Sequence, residues 1–461
     1  MKGEEQNIRG VVQGFQRRVL MLCYHYTPAI NGGVERSVRF ARYLPEFGWT
    51  PVVMTTDRFG VGGGAVAEEL IRVGELRISR LRASRGRFPR RGNVSSPPPG
   101  FESTSSSTVG AVREWVDRWF MVPDDKIRWG ARAFLPAWRM LRRGEADVIY
   151  TTSPPASSHL IGMKLKKLTG KPWIMDLRDP WTIEPLHLYL RKGGVRLKVE
   201  KSLERLSFKC SDTVVINTAE AAERYRELFP KQAGKIVVIP NGFDAEEMMS
   251  SGTEERALRE IDDGVFVMSH VGSFFRYTDM ASYPAALFRA LRTLVDDEII
   301  NTESCRVLFV GNIHADARRR MEEFGLHDLI ELTGAVPHAA AVGIMQRSDL
   351  LILFDPAPKA EYYIHGKLYE YLSAGGWILA MVPPGASRNL LECSGHGLIV
   401  SPDDTEGIRR AIVTVLERRN RPSTSPDFDL SRYERKRLTS KLAECLDELC
   451  PKRDRNDHLE E

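Results

Sequence analysis

The stretch Tyr362–Gly376, YYIHGKLYEYLSAGG, lies between two short apolar runs, Asp349–Phe354 (DLLILF) and Trp377–Val382 (WILAMV). Both runs read as buried parallel strands, and the spacing of the apolar residues between them predicts one helix over about Lys367–Ala374. A strand, a loop, a helix and a second strand in this order indicate an α/β fold built on a parallel sheet.

The start of this predicted helix has the features of an anion site. A helix N-terminus presents unpaired backbone N–H groups and the positive end of the helix dipole, so it attracts phosphate. Gly366 allows close backbone approach, Lys367 adds a cation, and Glu370 follows one turn later. Phosphate at the helix start, with a carboxylate beyond it to accept sugar hydroxyls, suits a nucleotide-sugar. An ordinary strand–helix–strand crossover with a Lys and a Glu on its surface would show the same sequence pattern.

Length and composition bound the class of protein. A chain of 461 residues is too long to fold around a single hydrophobic core, so we expect two α/β domains. Hydrophobic content of 42%, charged content of 28% and a net charge of +5 are ordinary for a soluble globular protein. The basic run Arg85–Arg91 has few aromatic neighbours, which favours a solvated loop over a nucleic-acid contact.

Compartment is predicted from what the sequence lacks. No apolar run approaches the roughly 20 residues that span a bilayer. The N-terminal segment MKGEEQNIRGVVQG is polar and has no signal-peptide core. The six cysteines are scattered and form no CxxC pair. We therefore expect reduced thiols, mostly buried, in a cytoplasmic protein, with packing as the default role of Cys23 and Cys393.

Strands and helices alternate along the whole chain. Near the N-terminus the strand Arg18–Tyr24 leads through Gly32-Gly33 into a helix from Val34, and open α/β sheets bind ligands at such turns. We predict a first Rossmann-like domain over 1–248, a second over 249–424, and a C-terminal helix and charged tail over 425–461. Residues from about 84 to 110 are rich in Arg, Pro and Ser and read as a flexible insert.

The segment Val112–Arg143 is predicted to be mostly helical, with breaks at Pro123 and Pro136. It carries several Trp residues among arginines. These aromatics fit core positions beside a solvated face, and they also fit a face at a membrane surface. With the Arg-rich insert, the segment is compatible with peripheral contact to anionic lipid at the inner membrane.

The chain resembles the family-4 retaining glycosyltransferases of the GT-B fold, which build bacterial surface polysaccharides. The resemblance covers nearly the whole chain, in order, in six motifs: YHYTPAINGGVERSVRFARYLPEFGW, TTSPPASSHLIG, PWIMDLRDPW, VVINTAEAAERY, VIPNGFD and HGKLYEYLSAGG. It implies two doubly wound Rossmann-like domains that face across a cleft, with the C-terminal helix returning to the first domain. The first domain would bind the acceptor, and the second the nucleotide-sugar.

The resemblance also assigns roles to residues. The Gly32-Gly33 loop would lie against the donor diphosphate from across the cleft, and Gly366 and Lys367 would hold that diphosphate. Glu370 would match the second Glu of the family's Glu, seven residues, Glu motif and bind the ribose hydroxyls. Arg276 is the candidate for the diphosphate-binding Arg of the second domain.

One position departs from the family pattern. Counting back from Glu370 across seven residues reaches Tyr362 rather than a Glu, and Glu361 lies one place away. Either a shift of the loop lets Glu361 serve as the catalytic carboxylate, or this subgroup does without it.

The acceptor side is predicted at the end of another strand. Arg178 and Asp179 follow the apolar strand of PWIMDLRDPW, and charges at such a place are costly unless they are paired or used. Asp179 could orient or deprotonate the acceptor hydroxyl; an Arg178–Asp179 contact that braces the loop is the alternative. Glu35 and Arg36 either start the site helix after Gly33 or are helix-surface charges.

No metal site is expected. The triplet Asp427-Phe428-Asp429 lies in a terminal linker, no His/Cys cluster has metal spacing, and isolated His25 and His365 fit structural roles. Side-chain cations and backbone N–H groups can stabilise a leaving diphosphate without a metal.

We therefore predict a metal-independent, retaining glycosyltransferase of hexosyl type that requires no cofactor. It would take its sugar from a UDP- or GDP-sugar and transfer it to a saccharide or lipid-linked acceptor. The alternatives are a catalytically silent nucleotide-sugar-binding partner, which Tyr362 favours, and a GT-B sugar-nucleotide epimerase.

Overall fold

The computed structural model describes residues 17–29, 33–60, 69–75, 122–183, 194–250, 264–272, 284–313, 315–354, 361–418, 422 and 425–451. Gly32, Arg276 and the predicted insert over 84–110 lie outside these residues.

The first domain is built on a seven-stranded parallel sheet in the order β3-β2-β1-β4-β5-β6-β7. Its strands are β1 (Arg17–Leu22), β2 (Trp49–Thr56), β3 (Glu69–Val73), β4 (Val148–Ser153), β5 (Trp173–Leu177), β6 (Thr213–Ile216) and β7 (Ile236–Val238). Nearly every residue of the four strands β1, β2, β4 and β5 is buried, as expected for a parallel sheet that is covered on both faces.

Helices cover both faces of this sheet. The helices are α1 (Val34–Tyr43), α2 (Ile127–Arg142), α3 (Ser157–Thr169), α4 (Val195–Cys210) and α5 (Ala219–Leu228). Helices α2 to α5 contribute Trp129, Leu165, Phe208 and Tyr225 to one core, whereas α1 contributes Phe40 to a second core on the other face.

The second domain repeats this plan with a six-stranded parallel sheet in the order β10-β9-β8-β11-β12-β13. Its strands are β8 (Phe266–Val271), β9 (Cys305–Val310), β10 (Ile330–Gly334), β11 (Leu350–Phe354), β12 (Trp377–Met381) and β13 (Gly397–Val400). Its helices are α6 (Ala245–Ser250), α7 (Ala285–Asp296), α8 (Ala315–Glu323), α9 (His338–Arg347), α10 (Gly366–Ala374), α11 (Ala386–Ser394) and α12 (Thr405–Arg418).

The C-terminal helix α13 (Arg435–Leu449) returns to the first domain and packs against α1. Its entry is fixed by backbone hydrogen bonds from Phe243 N to Tyr433 O (3.1 Å) and from Arg435 N to Phe243 O (2.9 Å). A Cβ atom at Gly242 would lie 1.9 Å from the Tyr433 carbonyl oxygen, so only glycine fits this crossing. The expected architecture of two doubly wound domains with a returning helix is thus confirmed.

Two local expectations, the helix break at Pro136 and the packing of Cys393, were wrong, and the choice between two roles for Trp129 is resolved. Pro136 lies inside α2 and does not end it, because Trp129, Ala133 and Ala137 hold the buried side of the helix in the core while Pro136 itself is exposed. Trp129 is a core residue and not a membrane-facing one. Cys393 is exposed rather than packed. Within the described part of the chain, no helix is both long enough and apolar enough to cross a bilayer.

Candidate active site

The N-terminus of α10 lies at the carboxyl edge of the second sheet, where the described residues leave its first position uncovered. The helix begins at Gly366, after His365 in an extended conformation. A Cβ atom built on Gly366 would meet no atom of the described residues within 4 Å, so these residues leave room for a group to approach the first turn. The apolar side chains of the same helix, including Leu368 and Leu372, are buried and hold it in place.

Lys367 is held above this opening by the end of β8. Its Nζ lies 3.3 Å from His270 Nε2. His270 Nδ1 lies 2.9 Å from the carbonyl oxygen of Ile352, which can only accept, so Nδ1 carries the ring proton. Burial and the nearby Lys367 charge lower the pKa of His270 well below its usual range. The neutral imidazole therefore accepts from the Lys367 ammonium and orients it.

Gly272 completes this arrangement. Its φ of +136° lies in a region that disfavours side chains, and a Cβ atom there would lie 3.1 Å from Lys367 Nζ. The backbone after β8 and the ammonium therefore share a space that only glycine leaves open. A cation and a helix N-terminus converge here, an arrangement that favours the binding of a phosphate group.

Glu370 lies one turn further along α10, where α10 and α6 of the second domain meet α1 of the first. Its carboxylate is 3.8 Å from His338 Nε2, and the same nitrogen lies 3.3 Å from Glu247 Oε2. Burial raises the pKa of Glu370, although its side chain keeps 22% exposure. The charges of His338 and Arg435 favour its ionised form, whereas Glu35 and Glu247 oppose it.

Arg435 is a buried cation beside this carboxylate. Only 7% of the residue is exposed, and its Nη1 has no hydrogen-bond partner among the described residues. Burial and the nearby Arg36 lower the pKa of Arg435 to about 10, so it remains charged at neutral pH. The C-terminal helix thus brings a positive charge to the predicted ribose site, and no sequence motif indicated it.

The His338–Glu247 pair makes this interface sensitive to pH. The hydrogen bond that His338 donates to Glu247 raises the pKa of His338 to about 9. Burial alone would raise the pKa of Glu247, but hydrogen bonds from His338 and Arg39 lower it to about 2. The stabilisation by His338 is therefore complete below its unfolded pKa of about 6.5 and is lost as pH rises through about 9.

We expect His338→Gln to lower the melting temperature at pH 6 and to leave it unchanged at pH 10. The imidazolium is half-exposed, so the difference at pH 6 should not exceed about 2–4 °C. Differential scanning calorimetry of both proteins from pH 5 to 10 tests this. His327→Gln is the matched control, because His327 lies 3.3 Å from Asp328 on an exposed surface. A difference that stays constant across this pH range would contradict an ion-pair role.

Arg178 and Asp179 lie at the carboxyl edge of the first sheet, directly after β5. They pair with each other, with Arg178 Nη2 3.0 Å from Asp179 Oδ2. Both stay partly exposed, at 15% and 23%. His25, in the loop after β1, lies near both charges; burial, Arg178, Lys126 and Arg58 lower its pKa to about 4. The predicted contact between Arg178 and Asp179 is therefore present, and the neutral imidazole of His25 lies beside it.

Glu361 and Tyr362 lie against the first domain, in a different neighbourhood from Glu370. The Thr218 hydroxyl donates to the backbone oxygen of Tyr362 at 3.0 Å, and the Tyr362 ring packs on the first-domain core. Glu361 lies beside the Tyr362 hydroxyl and near Arg224 of α5. Thus Glu361 lies at a contact between the domains.

Arg36 has a role that the sequence did not reveal. It is 1% exposed and donates from Nε and Nη2 to the two oxygens of Asp176, both at 2.9 Å. Its Nη1 donates to the carbonyl oxygen of Pro240 at 2.9 Å. Arg36 is therefore neither a surface charge nor a free site cation. It joins α1, β5 and the turn after β7, and so fixes the start of the helix that follows Gly33.

No group of three His, Cys, Asp or Glu residues suited to a metal ion occurs within the described ranges.

Comparisons with known proteins agree with this geometry. Residues 31–247 match the family model of Glycosyltransferase Family 4. HepE from Anabaena, solved in complex with UDP and glucose, superposes on this chain with a TM-score of 0.58 and is 13% identical in sequence. The alignment covers 94% of this chain and 100% of HepE. Sucrose-phosphate synthase from Thermosynechococcus elongatus superposes with a TM-score of 0.56 and is 14% identical in sequence. That alignment covers 93% of this chain and 94% of the synthase. No curated protein sequence matches the chain.

The same fold also occurs in a putative UDP-N-acetylglucosamine 2-epimerase from Listeria monocytogenes, which superposes with a TM-score of 0.57 at 10% sequence identity. That alignment covers 94% of this chain and 96% of the epimerase chain. The fold of the chain is GT-B. Within the first domain, residues 31–247 are similar to Glycosyltransferase Family 4.

Proposed function

We propose that this enzyme transfers a hexosyl-type sugar from a UDP- or GDP-sugar to a saccharide or lipid-linked acceptor, with retention of anomeric configuration and without a metal ion. The reaction would serve surface polysaccharide or glycoconjugate biosynthesis at the cytoplasmic face of the inner membrane. The observation that carries the proposal is the Lys367 ammonium, oriented by His270 beside the open N-terminus of α10.

The donor diphosphate would lie at the start of α10. The Lys367 ammonium and the backbone N–H groups of the first turn would stabilise the charge that develops on the leaving diphosphate, as preorganised donors do. Gly366 and Gly272 leave the space that a phosphate needs. Gly33 would approach from the first domain, and Gly32 and Arg276 remain predicted contacts outside the described residues.

The ribose would bind at Glu370. A carboxylate accepts from two neighbouring hydroxyls, and His338 and Arg435 favour its ionised form. HepE has been solved with UDP and with UDP-glucose, which favours a UDP-sugar as the first donor to test.

The acceptor would bind at the end of β5. Transfer breaks the bond from the anomeric carbon to the diphosphate oxygen, which leaves with the electron pair, and forms a bond to the acceptor oxygen. We propose that Asp179 orients the acceptor hydroxyl, with Arg178 holding the carboxylate at 3.0 Å. The hydroxyl proton would pass to Asp179 or to the departing diphosphate.

The first experiment is thermal stabilisation by a panel of nucleotides and nucleotide-sugars, run in EDTA and again with Mg²⁺. A ligand at about 100 times its dissociation constant adds roughly 2.7 kcal/mol, which corresponds to a shift of about 5–10 °C for a domain of 150–250 residues. We expect the same shift with UDP and UDP-sugars in both conditions. Lys367→Met should abolish it, and Lys231→Met, which changes an exposed lysine, should not. No shift with any nucleotide would refute the donor site.

A catalytically silent binding partner is the second candidate. The backbone of Tyr362 is engaged by Thr218, and Glu361 lies towards α5, so neither residue is arranged around α10. Turnover separates the candidates: a transferase releases nucleoside diphosphate only with an acceptor, and a silent partner binds donor without release. An epimerase would release UDP and free sugar with no acceptor present.

A further inference from the structure

Three neighbouring helices of the first domain carry an unusual distribution of charge. Helix α2 packs on α3 and α3 packs on α4, and their inner sides share one core on the same face of the sheet. Together they contain twelve Lys and Arg residues and only two acidic residues, Glu200 and Glu204. Both of these glutamates are buried, at 0% and 1% exposure. The whole chain has a net charge of only +5, so this surface differs from the rest of the molecule.

The outward sides of these helices, here called the basic face, expose nine cations and no carboxylate. These cations are Arg132, Arg139, Arg142, Lys164, Lys167, Lys198, Lys201, Arg205 and Lys209. The next helix, α5, behaves differently: its exposed Arg224 pairs with Glu227 at 2.8 Å. The positive charge of the basic face is therefore not neutralised by its own acidic residues.

The basic face also carries exposed aliphatic side chains. Five of the eight large hydrophobic residues that are exposed in the described chain lie on it: Leu135 at 44%, Leu168 at 53%, Val195 at 59%, Val199 at 42% and Leu206 at 37%. Ordinary solvated surfaces scatter such residues singly, whereas this clustering marks an interaction site.

Helix α4 orders the two kinds of residue into stripes. At 3.6 residues per turn, Val195, Val199 and Leu206 lie within about 40° of one another around the helix. The cations Lys198, Lys201, Arg205 and Lys209 occupy an adjoining sector of about 80°. A helix with an apolar stripe beside a basic stripe is suited to lie in the interface of an anionic bilayer. Nucleic acid would need the cations but gain little from the aliphatic stripe.

The basic face adjoins the proposed acceptor side of the cleft. Helix α4 follows β5 in the chain, so its N-terminal end lies at the carboxyl edge of the first sheet, where Arg178 and Asp179 are found. Arg196 ties this end of α4 to the segment before α2, donating from Nη2 to the Pro123 carbonyl oxygen at 3.0 Å.

We propose that the basic face docks the enzyme on an anionic lipid bilayer, with the aliphatic stripe of α4 at the level of the headgroups. The surface stands apart from the donor site. In this orientation an acceptor anchored in the bilayer reaches the cleft from the α4 side.

Vesicle co-sedimentation of the full chain tests this surface, with phosphatidylcholine vesicles that contain 30% or no phosphatidylglycerol. We expect binding only with the anionic lipid, and weaker binding as salt rises. The triple variant Lys198→Glu/Lys201→Glu/Arg205→Glu should lose at least about 100-fold in affinity, because each basic residue near an anionic surface contributes a factor of about five. The matched control reverses three exposed arginines of the second domain, Arg318→Glu/Arg319→Glu/Arg320→Glu, and should bind as the wild type does.

A second variant, Val199→Ser/Leu206→Ser, isolates the aliphatic stripe. It should bind the anionic vesicles at least about fourfold more weakly while its salt dependence is unchanged, because each CH₂ group that is buried contributes a factor of about four to the affinity. Affinity for duplex DNA that equals or exceeds affinity for the vesicles would assign the surface to nucleic acid and overturn the proposal. Unchanged vesicle binding of the triple variant would also overturn it. The UDP-induced thermal shift of each variant is read in parallel, so that failure of the donor site and failure of the lipid surface are told apart.

Discussion

Glu370→Gln is expected to weaken the binding of UDP and UDP-sugars by about 10–100-fold, because hydrogen bonds to a charged group are each worth about 1.5–3 kcal/mol. The neutral amide keeps one acceptor and replaces the other with a donor, so it cannot accept from both ribose hydroxyls. The side chain is partly buried and already lies beside His338 and Arg435, so the variant should fold. Isothermal titration at pH 7.5 measures the dissociation constants.

The control for this prediction is Glu392→Gln, which changes an exposed glutamate that pairs with Arg388 on α11. Its affinity for UDP should equal that of the wild type. A pH series adds a second readout: burial raises the pKa of Glu370, so wild-type affinity should fall as pH drops towards that pKa, whereas Glu370→Gln should show less dependence. Equal affinity of Glu370→Gln and wild type for UDP would remove Glu370 from the ribose role.

The donor half of the site was predictable because its signals are local in sequence. Gly366, Lys367 and Glu370 lie within five residues, and the helix that carries them is set by the apolar spacing around it. The structure brings these three residues to one helix end, as the pattern indicates.

What the sequence did not reveal depends on contacts between distant segments. His270 is 97 residues from Lys367, and Arg36 is 140 residues from Asp176. The contact within each pair cannot be predicted from the spacing of the two residues in one sequence. Strand register and the geometry of the crossovers decide which strand ends meet. Arg435 comes to Glu370 only because α13 crosses back over the first domain.

Local rules also failed where packing overrode them. Proline disfavours a helix interior, yet α2 continues through Pro136 because the buried side of the helix is fixed by Trp129 and Ala133. The spacing suggested that Glu361 could replace the carboxylate of the family motif. In the structure, however, the hydrogen bond between Thr218 and Tyr362 holds the segment that contains Glu361 against α5. The catalytic role of Glu361 remains a prediction.

Arg36→Met is expected to destabilise the protein by about 3–5 kcal/mol, because removal of one partner leaves a buried charge uncompensated. Asp176 is fully buried, and in the variant its carboxylate would keep only the Tyr150 hydroxyl at 2.5 Å and the Thr152 hydroxyl at 3.2 Å. The Pro240 carbonyl would also lose its donor. Urea unfolding at pH 7, followed by tryptophan fluorescence, measures the change.

A double-mutant cycle separates the ion pair from the bulk of the side chains. Asp176→Asn alone strands the Arg36 cation in the core, whereas Arg36→Met/Asp176→Asn leaves no buried charge and keeps an acceptor for Tyr150. We therefore expect the double variant to be more stable than the two single costs predict, by about 1–3 kcal/mol. Arg42→Met, on the same helix but 39% exposed, should change stability by less than about 1 kcal/mol. Strict additivity of the two single variants would mean that Arg36 acts through its bond to Pro240 and its packing on Phe40, and not through Asp176.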